Sequence, residues 1–127
     1  MARHSRRLPV FLNLAQIRFP IGAIASIAHR VAGVLLFMAL PAVALLLDTS
    51  LRTEAGFAAV RDLLSSPFRV ATAALLLWAL VHHVLAGVRH LLMDVGMGRE
   101  LANARASARL VLAAAPALTL FLVWGLT

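Results

Sequence analysis

The side chains able to do chemistry in this sequence fall into two short clusters. The denser is His82-His83-Val84-Leu85-Ala86-Gly87-Val88-Arg89-His90-Leu91-Leu92-Met93-Asp94, which leaves a strongly apolar run through Arg89, His90 and Asp94. On a helix, His83, Gly87, His90 and Asp94 share one face, because they follow at intervals of four, three and four residues. An imidazole so placed can ligate a metal through one nitrogen, and a glycine one turn away removes the side chain that would hold a flat cofactor or another helix at a distance. Spacing alone leaves a second reading open, in which His82 and His83 are buried polar residues that hold neighbouring helices together. The other cluster is Ser26, His29, Arg30 and Gly33, again on one helical face, with Gly22 extending it by a turn. A hydroxyl, an imidazole and a guanidinium together form a set of donors for a carbonyl oxygen or for a cofactor carboxylate. The alternative is an anchoring arginine that snorkels to a membrane surface, beside a serine bonded to its own backbone.

The elements that must carry these clusters follow from composition. At 127 residues the chain is one domain, and at 62% hydrophobic, 13% charged and a mean hydropathy of +0.93 it has too few polar side chains to cover a soluble surface. Three apolar runs, at about 21–47, 68–90 and 110–126, are long enough to cross a bilayer as helices. Before them stands a basic arm, 1–20, bracketed by Pro9 and Pro20 and too short in its apolar part for a cleaved signal, so it is read as retained. Pro41 and Pro116 are expected to kink the first and third spans. Between the first two spans, Phe57, Val60, Leu63 and Leu64 share a face opposite Arg61 and Asp62, which predicts a short helix lying on the membrane surface. Ser66-Pro67 reads as an N-cap followed by the first residue of the second span.

The net charge of +7 arises from twelve arginines with no lysine, and its partner in so apolar a chain is the lipid headgroup layer. No basic helix or aromatic-interleaved basic patch stands apart from the spans, so nucleic acid is not a partner. With no cysteine, the chain offers no thiolate to an iron–sulfur cluster or to zinc, and any such cluster belongs to another subunit. Arginines near the N-terminal arm and between the second and third spans outnumber those on the other side. The N-terminus is therefore expected in the cytoplasm and the C-terminus in the periplasm of a bacterial inner membrane, with both clusters in or below the cytoplasmic half.

Ser26-Ile27-Ala28-His29-Arg30-Val31-Ala32-Gly33 resembles the Ser-x-x-His-Arg signature of the cytochrome b subunit of succinate dehydrogenase, the large membrane anchor of complex II. His83-x-x-x-Gly87-Val88-Arg89-His90-Leu91-x-Met93-Asp94-x-Gly96 resembles the second signature of that family, and Gln16-Ile17-Arg18-Phe19-Pro20 is similar to the arm of its bacterial members. The resemblance implies an all-α integral membrane protein with three transmembrane helices and a short interfacial helix, half of a two-subunit anchor. Residues 21–127 would form the haem- and quinone-binding domain. It implies His83 as an axial ligand of one haem b shared with a second anchor subunit. Ser26 and Arg30 would bind ubiquinone, His29 and His90 would contact haem propionates or shape the haem edge, and Asp94 would order Arg30 and the proton path. The implied partners are the second anchor, an iron–sulfur subunit and a flavoprotein subunit. Two departures stand out: Ala32 occupies a position where the family carries Ser or Thr, and Leu8-Pro9 replaces an Arg-Pro start. His82, about 100° round the helix from His83, is left a structural or lipid-facing role.

The function so implied is the anchor of succinate:ubiquinone oxidoreductase, which binds the electron acceptor and cannot oxidise succinate alone. The rival readings are the anchor of a quinol:fumarate reductase, a haem-free structural anchor, and a small transporter lined by Arg30 and Asp94.

Overall fold

A computed structural model describes residues 18–126; most of the basic arm lies outside the described residues. The described chain is helical, with α1 (Ile21–Arg52), α2 (Glu54–Leu64), α3 (Pro67–Asp94) and α4 (Leu101–Leu126). Of these, α1, α3 and α4 are long and apolar enough to cross a membrane, so the three expected spans and the short helix between the first two are all present. Both long helices that contain a proline, Pro41 in α1 and Pro116 in α4, are continuous through it.

All three spans are longer than the apolar runs that announce them. α1 continues past residue 47 because its polar end satisfies itself: Arg52 pairs with Asp48 at 2.7 Å, and the hydroxyls of Thr49 and Ser50 donate to the carbonyls of Leu45 and Leu47. Thr53, in an extended conformation, then ends α1 and caps α2 by accepting from the Gly56 amide at 2.9 Å. A side chain on Gly56 would run into the Thr49 carbonyl, so this glycine lets α2 fold back against the end of α1. Phe57, Leu63 and Leu64 stay exposed on α2, an uncovered apolar edge suited to a bilayer surface. Ser66 is extended ahead of Pro67 at the first turn of α3, as expected, although its hydroxyl makes no capping bond.

The turn from α3 to α4 is built by two glycines in the left-handed region, Gly96 (φ 95°) and Gly98 (φ 71°). The Gly96 amide donates to the Met93 carbonyl at 3.0 Å and the Met97 amide to the Leu92 carbonyl at 2.9 Å, the paired bonds of a Schellman ending. Arg99 reaches back to the last carbonyls, with Nε on Met93 and a terminal nitrogen on Asp94, each at 2.6 Å. Gly96→Ala is therefore expected to lower the thermal stability of the detergent-solubilised chain by about 1 kcal/mol, the cost of forcing a Cβ into the left-handed region, read as an earlier loss of helical circular dichroism. An unchanged melting curve would show that the turn does not hold α4.

The three long helices meet on alanine. Ala25 and Ala32 of α1, Ala79 and Ala86 of α3, and Ala108 and Ala115 of α4 are each at most 1% exposed. Every helix contributes a pair seven residues apart, the repeat that keeps one seam facing its neighbours over two turns. In a lipid environment apolar burial does not drive helices together, and small side chains stabilise them by letting the backbones approach. α1 and α3 run antiparallel, with Gly22 opposite Arg89, Gly87 opposite His29 and Gly33 opposite His83.

Candidate functional site

The α1–α3 contact brings the two sequence clusters together. The rings of His29 and His83 stack with centroids 4.2 Å apart and planes 18° from parallel, and the ring of His90 stands 5.1 Å from that of His29, tilted by 35°. The site expected from spacing on each helix is thus one cluster of three imidazoles drawn from both.

Each ring is held differently. His90, part-buried, donates from Nδ1 to the Ala86 carbonyl one turn back, at 2.7 Å. His83 donates from Nδ1 across the helix interface to the backbone carbonyl of His29, at 3.2 Å. A carbonyl can only accept, so this bond fixes the proton on Nδ1 and leaves the Nε2 lone pair available to a metal. His29 Nε2 is buried and makes no hydrogen bond among the described residues, which leaves an unsatisfied group at the centre of the cluster. Space for the rings comes from two glycines. A methyl group on Gly87 would rest 3.6 Å from His29 Nε2, whereas one on Gly33 would press to 3.0 Å from His83 Cε1 and 3.3 Å from Nδ1.

Ser26 and Arg30 lie on the same helix, one turn apart. Ser26 is half-buried and Arg30 exposed, and neither side chain forms a hydrogen bond or ion pair among the described residues. Asp94 is exposed at the end of α3; no ion pair joins it to Arg30 among the described residues.

Residues 4–122 match the family described as succinate dehydrogenase/fumarate reductase transmembrane subunit. The chain belongs to that family. It is 36% identical over 101 residues to the succinate dehydrogenase cytochrome b556 subunit of Coxiella burnetii, covering 79% of this chain and 81% of that protein. It is 32% identical over 107 residues to the subunit of the same name from Paracoccus denitrificans, covering 83% and 81%. The resemblance drawn from the two signatures thus holds over nearly the whole chain, and this transmembrane subunit is part of an oxidoreductase complex.

The structure adds to the transmembrane subunit two features that the signatures do not display. His82 does not face lipid: it is 1% exposed, stacked on Trp78 with centroids 5.4 Å apart, inside the bundle. The 100° turn that separates it from His83 carries it onto the inner stripe of α3 with Ala79, Ala86 and Arg89. Arg89, counted in sequence as a charge at the membrane surface, is only 8% exposed. Its Nε donates to Ser107 Oγ and a terminal nitrogen to the Ala104 carbonyl, both at 3.0 Å, while that same nitrogen approaches Gly22. The guanidinium thus joins α3 to α4 and lies in the space that a side chain on Gly22 of α1 would enter. The polar stretch around Ser107, expected as a connection ahead of a span beginning at 110, instead forms the first turns of α4 and supplies both acceptors of Arg89. Arg89 also lines a mostly apolar cavity of about 460 Å³ between α3 and α4.

Proposed function

We propose that this chain is the haem- and quinone-binding anchor of a succinate:ubiquinone oxidoreductase. The observation that carries this reading is the His83 imidazole, tied through Nδ1 to the His29 carbonyl so that Nε2 is the metal-facing nitrogen. His83 would then supply one ligand to an iron whose others would come from a porphyrin and from a second anchor subunit. His29 and His90, beside that ring, offer imidazole nitrogens to the haem propionates; the unsatisfied Nε2 of His29 is a donor or acceptor waiting for such a group. Bound there, haem b would supply one-electron carriage.

The quinone is assigned to Ser26 and Arg30. Reduction of ubiquinone takes two electrons and two protons, and charge develops on its carbonyl oxygens as electrons arrive. A guanidinium and a hydroxyl aimed at those oxygens stabilise that charge without reorganising. Asp94, exposed at the same end of the bundle, supplies a titratable carboxylate for proton delivery. The electrons come from succinate oxidised on a flavoprotein subunit and pass through an iron–sulfur subunit, both docked on the cytoplasmic side, where the arginine distribution puts Arg30 and Asp94. The outer face of α1, with Val34, Phe37, Met38 and Leu45 exposed, is the surface offered to the second anchor and to lipid. The family description includes fumarate reductases, and the same donors serve quinol oxidation; comparing turnover with succinate plus ubiquinone against fumarate plus quinol separates the two directions.

The complex purified through a tag on this chain is expected to contain the flavoprotein and iron–sulfur subunits and to show a b-type haem in its dithionite-reduced minus oxidised spectrum. A complex without that signal would withdraw the haem assignment. Ser26→Ala and Arg30→Ala are each expected to lower ubiquinone reduction about tenfold, the loss of one bond to a developing charge. Succinate oxidation by an artificial soluble acceptor should be unchanged. Equal loss of both activities would remove these residues from the quinone site.

A further inference from the structure

We infer that Gly33 is the positioning residue for His83: the missing side chain lets the imidazole edge lie against the backbone of α1, where the His29 carbonyl sets its tautomer and rotation. The inference rests on the reading that His83 ligates haem iron, and it adds a residue to which the signatures give no role.

Three observations carry it. The His83 ring presents its Cε1–Nδ1 edge to Gly33, so closely that a methyl group there would sit at 3.0 and 3.3 Å from those two atoms. That is tighter than van der Waals contact allows, so the ring would have to give way. The bond that holds the ring, Nδ1 to the His29 carbonyl, is already long at 3.2 Å, near the end of the useful range for N–H···O. Moving the edge off α1 by a few tenths of an ångström, the give that such a contact demands, takes the bond out of that range. One face of the ring is stacked on His29 and its Cβ is carried by α3, so the ring gives by rotating or by moving off α1. The expected outcome is a rotated imidazole whose Nδ1 proton is no longer held by the carbonyl. Gly87, one turn from His83 on its own helix, is the glycine that spacing singles out, yet a methyl group there would make only ordinary contact with His29. Within the chain, the close approach is at Gly33.

Ligand-orienting partners of metal-bound histidine typically contribute 10- to 100-fold in affinity. Gly33→Ala is thus expected to lower haem affinity at least about 10-fold, and any haem retained should show a shifted low-spin ferric electron paramagnetic resonance signal and a shifted midpoint potential. The measurements are made on the purified complex beside Leu120→Ala, an exposed side chain on α4 expected to match the parent. Parent haem content, resonance signal and potential in Gly33→Ala would overturn the inference. If His83→Ala also keeps its haem, the ligand assignment itself has failed; if His83→Ala loses it while Gly33→Ala does not, only the role of Gly33 has. Should Gly33→Ala prevent assembly, the double variant with His83→Ala decides. A methyl group that acts through the imidazole is harmless once the ring is gone, so the pair assembles as well as His83→Ala alone. A pair that fails as Gly33→Ala does would assign the effect to helix packing and overturn the inference.

Discussion

His83→Ala is expected to abolish the b-type haem signal in the complex while the flavoprotein and iron–sulfur subunits still oxidise succinate with a soluble acceptor. The substitution removes the imidazole whose Nδ1 is bonded across the helix interface to the His29 carbonyl, leaving Nε2 for iron. The remaining rings do not replace it. His90 stands two turns along α3 from that position, and His29 belongs to α1, stacked on the place that His83 vacates. His82→Ala separates ligation from packing. His82 is fully buried against Trp78, so its loss leaves a cavity and lowers stability by about 2–4 kcal/mol, in the manner of other large-to-small core changes, while the haem band stays. A band lost in His82→Ala and kept in His83→Ala would reverse the assignment of the two neighbours.

Arg89→Ala is expected to be the most disruptive substitution outside the imidazole cluster. It deletes two hydrogen bonds from a charged donor, to Ser107 and Ala104, each worth about 1.5–3 kcal/mol, and empties the space where α1, α3 and α4 converge. Part of that loss is offset because a buried cation no longer has to be desolvated, so a net fall of about 3 kcal/mol is the expected size. It would be seen as earlier thermal unfolding and as protease cleavage in the turn at Gly96 and Gly98. Arg89→Met, which keeps the volume and removes the charge, should recover much of the stability. Arg89→Lys, which keeps the charge and loses the planar fork, should recover less. Equal stability in parent and Arg89→Ala would show that the alanine seam alone holds α4.

How much of this was legible in the sequence depends on whether a feature is local to one helix or shared between two. That Ser26, His29 and Arg30 share a face, and that His83 and His90 share another, follows from the helical repeat, and both placements hold. Periodicity does not set the register of α1 against α3, and it is register that stacks His29 on His83 and turns Gly33 toward that ring. Composition marks an apolar core well and a helix end poorly. Asp48, Thr49, Ser50 and Arg52 read as a connection, yet they bond to one another or to the preceding turn and prolong α1. Arg89 was the least legible. Its charge, in sequence, belongs to the membrane surface; its burial follows from Ser107 and Ala104 on a helix that starts nine residues before the apolar run expected there.

The arrangement of Arg89 also constrains the order in which the subunit enters the membrane. A lone α3 would carry an arginine into its membrane-proximal end with no protein group to bond it. Its acceptors lie on α4, close behind in the chain across a turn already shaped by Gly96 and Gly98. The two helices are thus suited to insert as a hairpin, with the guanidinium satisfied before the bundle closes. Such a pair would display His83 and His90 on the side onto which α1 docks, so that the imidazole cluster is complete only when the first helix of the chain joins the last two.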